Sequence, residues 1–327
     1  MNKQGYANSK VMYGLKYCSL LVMAMLLTGC SSSNYSRKVV FLDGHKEQEY
    51  INAYNETLSL WPVPFEEMDI STSYGTAHII VSGPKNGMPL VLLHGMDASS
   101  TMWYPNVANY AKKYRVYAID YLLEPGKSVA KVKKMDNDEM CEWYNEIFNR
   151  LNLKKFYLIG NSRGGWLAAN YTIKNLGRVD KLILLAPVQT FSMVNMGLNT
   201  RGAANFKFFP NRDNLDELIT TFSRHPEKLD DKFKEQLYLG TKYSKSNFSL
   251  LGMNTFSDDE LMTLALPVLV LVGDHDVLND IDIIEKSGKL LPNVEAAVID
   301  DAAHFLTLDK QEEVDKRILD FLDKKHS

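Results

Sequence analysis

The stretch Phe156-Tyr157-Leu158-Ile159-Gly160-Asn161-Ser162-Arg163-Gly164-Gly165-Trp166-Leu167-Ala168-Ala169 decides how this chain is read. Four apolar residues form a buried strand that runs into Gly160. A small-residue turn carrying Ser162 follows, and then a helix opens. This is the Gly-x-Ser-x-Gly elbow, in which a sharp turn lifts a Ser hydroxyl above the sheet edge. The flanking glycines suit a turn too tight for side chains. Gly and Ser are common, so the strand before and the helix after carry the reading as much as the pentapeptide does.

A Ser hydroxyl attacks only when a base takes its proton. The base is usually His, held in the right tautomer by a carboxylate. After an elbow of this kind the acid comes next in the chain and the His last. Downstream, Pro267-Val268-Leu269-Val270-Leu271-Val272 reads as a buried strand and ends in Gly273-Asp274-His275-Asp276. Val294-Glu295-Ala296-Ala297-Val298-Ile299 reads as the last strand and leads into Asp300-Asp301-Ala302-Ala303-His304-Phe305. Carboxylate and His thus each lie just past a strand's C-terminal end, the edge where open parallel sheets build their sites. Of the seven His, only His304 falls between the final strand and the final helix. His94 follows another strand and reads as structural, and His275 could shape the acid loop.

Two carboxylates compete for the acid. Asp274 directly follows Gly273 and could cap the turn through an Asx bond. Asp276, two residues further out, is better placed to reach His304. Asp300 and Asp301 read as turn formers. Charge that develops on the substrate oxygen needs donors aimed at it. One is the backbone N–H of Arg163, at the start of a helix whose dipole favours negative charge. The other is the N–H of Met96, in the loop after the strand Leu90-Val91-Leu92-Leu93 that continues as His94-Gly95-Met96.

Taken together, Leu92-Leu93-His94-Gly95, Gly160 to Gly165, Gly273-Asp274-His275-Asp276 and Ala303-His304-Phe305 resemble the α/β-hydrolase fold, and within it the small bacterial carboxylesterases. The resemblance covers roughly residues 65–325. It implies ester hydrolysis through an acyl-enzyme on Ser162, His304 and Asp276, acting on a small-molecule ester, with no metal and no organic cofactor. No His-x-x-x-His or paired-Cys spacing points to a metal. One departure follows Val116-Tyr117-Ala118-Ile119-Asp120. The family usually shows a Gly-rich turn closing in Ser, whereas this chain has the longer Tyr121-Leu122-Leu123-Glu124-Pro125-Gly126-Lys127-Ser128. Other bonds cleaved on the same triad, or a ligand-sensing protein with little turnover, are the rival readings.

The front of the chain reads as an address. Lys3, Lys10 and Lys16 precede an apolar run from Leu20 to Leu27, and no Asp or Glu occurs before residue 43. That is a signal peptide, too short to span a bilayer. It ends in Leu27-Thr28-Gly29-Cys30, which resembles the bacterial lipobox, with residues 1–29 removed and Cys30 lipidated. Met12 would give a more usual signal length as the start. Acyl chains on Cys30 would anchor the chain to a membrane at ~0.8 kcal/mol per buried CH₂. Residues 30–38 then read as a tether to a hydrolase domain over 39–327. Ser31 after the Cys, rather than Asp, points to the outer membrane of a Gram-negative envelope.

Composition is that of an ordinary globular protein. The chain has 327 residues, 45% hydrophobic and 24% charged. Loss of the leader leaves 34 Lys and Arg against 40 Asp and Glu, a net charge of −6. No basic stripe argues for nucleic acid. With Cys18 removed and Cys30 lipidated, only Cys141 remains, so no internal disulfide is possible. Cys141 reads as a packed residue.

Eight strands are expected near 66–72, 76–82, 89–93, 115–119, 156–160, 181–186, 267–272 and 294–299. Helices are expected near 46–60, 102–113, 136–150, 163–176, 280–290 and 310–323. Such alternation means a mostly parallel sheet covered on both faces. It stops between Pro187 and Leu266, where 213–224, 226–239 and 258–264 look helical. This is where the family carries a helical cap over the site, here at about 188–265. Phe191, Met193, Met196, Phe206, Phe208 and Phe209 could line an acyl pocket or form the cap's own core.

Overall fold

The computed structural model describes residues 39–194, 200–245 and 253–325. The signal peptide, Cys30, the tether and Met196 lie outside the described residues.

Among the described residues, nine strands form one sheet: β1 (Phe65–Ser71), β2 (Gly75–Ser82), β3 (Pro89–Leu93), β4 (Arg115–Ile119), β5 (Val129–Ala130), β6 (Phe156–Asn161), β7 (Val179–Leu185), β8 (Val268–Gly273) and β9 (Val294–Ile299). Their order is β1-β2-β4-β3-β6-β7-β8-β9, with β5 pairing on β2. β1 and β2 form an antiparallel pair, and everything from β4 to β9 along this order is parallel. The eight expected strands are present. The ninth, β5, is two residues long and too short to leave a periodic signal. The central strands are buried on both faces, as β8 is at every residue. That is why they read as unbroken apolar runs rather than alternating ones.

The helices are α1 (Gly44–Leu58), α2 (Val107–Tyr110), α3 (Asn137–Arg150), α4 (Arg163–Lys174), α5 (Arg201–Phe208), α6 (Arg212–Phe222), α7 (Asp231–Tyr243), α8 (Asp258–Met262), α9 (Asp282–Leu290), α10 (Leu306–Asp309) and α11 (Gln311–Asp323). In α1, Tyr50, Ile51, Tyr54 and Leu58 are buried, the face its 3.6-residue spacing predicts. Asp136 and Glu139 form a capping box at the start of α3. The single helix expected near 102–113 is instead a 3₁₀ turn at Ser100–Trp103 followed by the short α2. Pro105 lies between them, and a proline removes the helical N–H and clashes with the preceding turn.

Helices α5 to α8 lie between β7 and β8. Three of them occupy the expected helical stretches, although the second is offset: a 3₁₀ turn at Pro226–Lys228 precedes α7, which Asp230 caps. α5 was not expected, because Gly202 and Asn205 depress its helix propensity. It forms by packing on α6. The apolar residues of this region divide. Phe191 and Phe206 are buried in the cores, whereas Met193, Phe208 and Phe209 are exposed. The return segment is pinned to α4, since the Trp166 indole N–H donates to the Asn254 carbonyl (2.9 Å) and its ring stacks on Phe256.

Candidate active site

The elbow forms because strand β6 must turn into α4 with almost no room. A Cβ added to Gly160 would lie 2.1 Å from the Gly164 carbonyl oxygen. One on Gly164 would lie 2.3 Å from the Leu93 carbonyl oxygen on β3. Only glycine permits that approach. Ser162 sits at the apex with φ 54° and ψ −119°, a conformation rarely adopted by L residues. Its N–H donates to the Leu185 carbonyl (2.8 Å), which ties the strained residue to the end of β7.

Around Ser162 the structure brings His304 and Asp276 together from two other strand ends. Ser162 Oγ lies 2.8 Å from His304 Nε2. His304 Nδ1 lies 3.0 Å from each oxygen of Asp276. Burial pushes the Asp276 carboxyl up, but the His304 ring and hydrogen bonds from Asn279 and the Leu278 N–H outweigh it and hold it below the ordinary carboxylate range. An ionised carboxylate can only accept, so His304 Nδ1 must carry the proton and Nε2 is left to accept from Ser162. The His304 ring packs against Phe222 of the cap, 5.2 Å between centroids.

Asp274 points elsewhere. Its carboxylate accepts from the Ala302 N–H (3.1 Å) and lies 2.7 Å from His275 Nδ1. The local Asx bond expected of it gives way to a tertiary one, because the His304 loop lies close enough to supply the donor. His275 shapes the same junction through its backbone, donating N–H to the Ala302 carbonyl (2.9 Å).

His94 is buried and neutral. Its Nε2 accepts the Tyr121 N–H (2.8 Å), so the proton sits on Nδ1 and donates to the Gly95 carbonyl (2.8 Å). Burial pushes its pKa down to about 4. The loop it anchors runs against the elbow: a Cβ on Gly95 would lie 3.4 Å from Ser162 Cβ. Met96 follows in that loop, and Arg163 opens α4 on the other side of Ser162. Cys141 is buried against Asn170, and burial pushes its thiol up to about 12. A thiol so held is not a nucleophile.

The alpha/beta hydrolase fold family matches residues 88–311 of this sequence, a span that contains β3 and all of the elements just described. The chain belongs to the alpha/beta hydrolase fold family. Among relatives, the carboxylesterase nap of Bacillus subtilis, itself described as uncharacterized, is 32% identical over 88% of this chain and 97% of its own. Carboxylesterase YbfK of the same organism is 30% identical over 84% of this chain and 93% of its own. The crystal structure of the B. subtilis naproxen esterase superposes with a TM-score of 0.81 at 30% identity, over 86% of this chain and 99% of that one.

On this alpha/beta hydrolase scaffold, two buried carboxylates escaped the sequence reading. Glu124 lies in the long loop after β4, almost fully buried, with Oε1 3.0 Å from the Arg163 guanidinium. Burial pushes its carboxyl up while Arg163 opposes the shift. Asp309, also buried, accepts from the Ala303 N–H (2.8 Å) beside His304 and from Ser223 Oγ (2.5 Å) and the Arg224 N–H (3.0 Å) at the end of α6. It fastens the His304 loop to the cap. The available signal was Arg163 itself: an arginine inside an elbow packed on three strands needs a counter-charge.

Proposed function

We propose that this chain is a carboxylesterase in which Ser162 is the nucleophile, His304 the general base and Asp276 the acid that orients it. The chain is a serine hydrolase of carboxylic esters, in keeping with the two Bacillus subtilis relatives named carboxylesterases. The observation that carries the assignment of roles is the 2.8 Å approach of Ser162 Oγ to His304 Nε2. Ser162 attacks the ester carbonyl while its proton passes to His304. The resulting oxyanion is held by the N–H groups of Met96 and Arg163, the latter aided by the helix dipole of α4. Collapse expels the alcohol, which takes the proton from His304. Water, deprotonated by the same His, then frees the acid and restores Ser162.

The substrates are esters of small or medium, fairly apolar acids, entering beneath the cap. The test is a panel of aryl esters with acyl chains of rising length, run beside matched amides and a lactone. Ester turnover should exceed amide turnover throughout, with an optimum at short to medium chain length. Faster cleavage of the amide or lactone would replace this substrate class with another on the same triad.

The N-terminal sequence supports a place in the bacterial envelope, with Cys30 lipidated and the domain tethered outside the membrane, at the outer membrane if the source is Gram-negative. Expressed full-length protein should partition into detergent and incorporate labelled fatty acid, and Cys30→Ala should block both. A water-soluble, unlipidated wild-type product would remove the anchor from this reading.

A further inference from the structure

We propose that Glu124 is a positioning residue for the oxyanion hole, holding the Met96 loop and the Arg163 end of the elbow at a fixed spacing. This rests on the roles given above to the Met96 and Arg163 N–H groups. Glu124 belongs to the loop that departs from the family's Gly-rich turn.

Its two carboxylate oxygens divide between the two sides of the site. Oε2 accepts the Asp97 N–H at 2.9 Å, and Oε1 lies 3.0 Å from Arg163 Nη1. Asp97 is one residue past Met96, and Arg163 is one residue past Ser162. A single planar group therefore spans the residue after one donor and the side chain of the other. Asp97 is held with φ 57°, in the left-handed region, so the chain has just turned at this point. The Glu124 bond fixes that turn from outside, and the Asp97 carboxylate is in turn held by Lys207 of the cap helix α5 (2.5 Å).

Glu124 can act as a spacer because its own loop is cross-bonded to the Met96 loop. The Tyr121 N–H donates to His94 Nε2, and Asp120 accepts the Ser100 N–H (2.8 Å) and the Lys127 N–H (2.8 Å). The Arg163 guanidinium is further seated over the Tyr121 ring, 4.1 Å from its centroid. The competing account makes Glu124 a mere counter-ion for a buried arginine. Stability alone does not call for the pair, since a buried ion pair often does no better than apolar residues of the same volume. The two accounts differ in what an apolar replacement of both residues would do.

The experiment compares Glu124→Gln, Glu124→Leu and the double variant Glu124→Leu/Arg163→Met with the wild-type enzyme. Each is assayed for kcat and KM on a short-chain aryl ester and for affinity toward a trifluoromethyl ketone, which forms a tetrahedral oxyanion on the Ser. Losing a whole oxyanion donor costs about 10²–10³ in kcat, and misplacing one should cost less, so Glu124→Leu should lower kcat roughly 10- to 100-fold. KM should change less than about threefold, since the ground-state carbonyl makes weaker use of these donors. Ketone affinity should fall by the same factor as kcat/KM. The double variant should regain thermal stability but not kcat. Glu124→Gln keeps one acceptor and the reach, and should fall between.

If the double variant recovers wild-type kcat, or if the loss sits in KM, Glu124 is only a counter-ion and the proposal is overturned. If Glu124→Leu does not fold, the kcat and ketone affinity of Glu124→Gln decide by the same criterion. Ser162→Ala in the same assay separates this failure from a failure of the underlying reading: turnover by that variant would remove the nucleophile itself.

Discussion

Replacing Ser162 with Ala is expected to lower kcat for an aryl ester by a factor on the order of 10⁶, the scale seen when a serine hydrolase loses its nucleophile. The variant should also lose covalent labelling by a fluorophosphonate. The argument runs from geometry to chemistry. Ser162 Oγ lies within hydrogen-bond reach of His304 Nε2, and the proton on His304 Nδ1 is committed to Asp276. Without the hydroxyl, His304 can still activate water, and the residual rate measures that route. The domain should stay folded, because Ala keeps the Cβ and the Ser162 N–H bond to Leu185 is a backbone contact. Near-UV circular dichroism and the melting temperature check this. Persistent labelling of the Ala variant would place the nucleophile elsewhere, and Cys141 is a poor substitute because its buried thiol is pushed up to about 12.

The scaffold was legible because its signals are local. Each parallel strand is buried on both faces, so it appears as an apolar run with a turn after it. β6 carries Gly-x-Ser-x-Gly as its turn, and β8 and β9 end in the acid and His segments. Chain order then restricts the pairing, and Asp276 over Asp274 follows from reach. What stayed hidden is tertiary. Glu124 sits in a loop rich in turn-forming and charged residues, which in isolation reads as a solvated excursion. It is buried because Arg163, far along the chain, requires a partner where both are enclosed. Asp309 reads as an exposed residue near the start of the last helix, yet it is enclosed by the cap segment at Ser223 and Arg224 and the loop before His304. α5 escaped because its stability comes from α6 rather than from its own residues. The break at Pro105 was readable in principle, since proline inside a helical pattern is a local signal.

The two carboxylates after β8 should separate sharply in function. Asp276→Asn is expected to lower kcat by about 10⁴, as for the equivalent change in serine proteases. In the native site both Asp276 oxygens face His304 Nδ1, while Leu278 N–H and the Asn279 amide donate to the same carboxylate. An asparagine whose oxygen keeps the Leu278 bond turns its NH₂ toward the imidazole. His304 then takes the tautomer with the proton on Nε2, which cannot accept from Ser162. KM should change little, because the Asp276 side chain is fully buried against His304 and out of a substrate's reach. Asp274→Asn should cost less than about tenfold in kcat and on the order of 1 kcal/mol in stability, because the Asn oxygen can still accept from the Ala302 N–H and only the charge beside His275 is lost. That residual loss reaches catalysis only through the seat of the His304 loop. Both variants are compared at one temperature below their melting points, with kcat from initial rates and stability from thermal unfolding. The opposite ranking, a severe loss at position 274 with near-normal turnover at 276, would transfer the acid to Asp274 and require the His304 ring to turn away from the partner it faces in the resting enzyme.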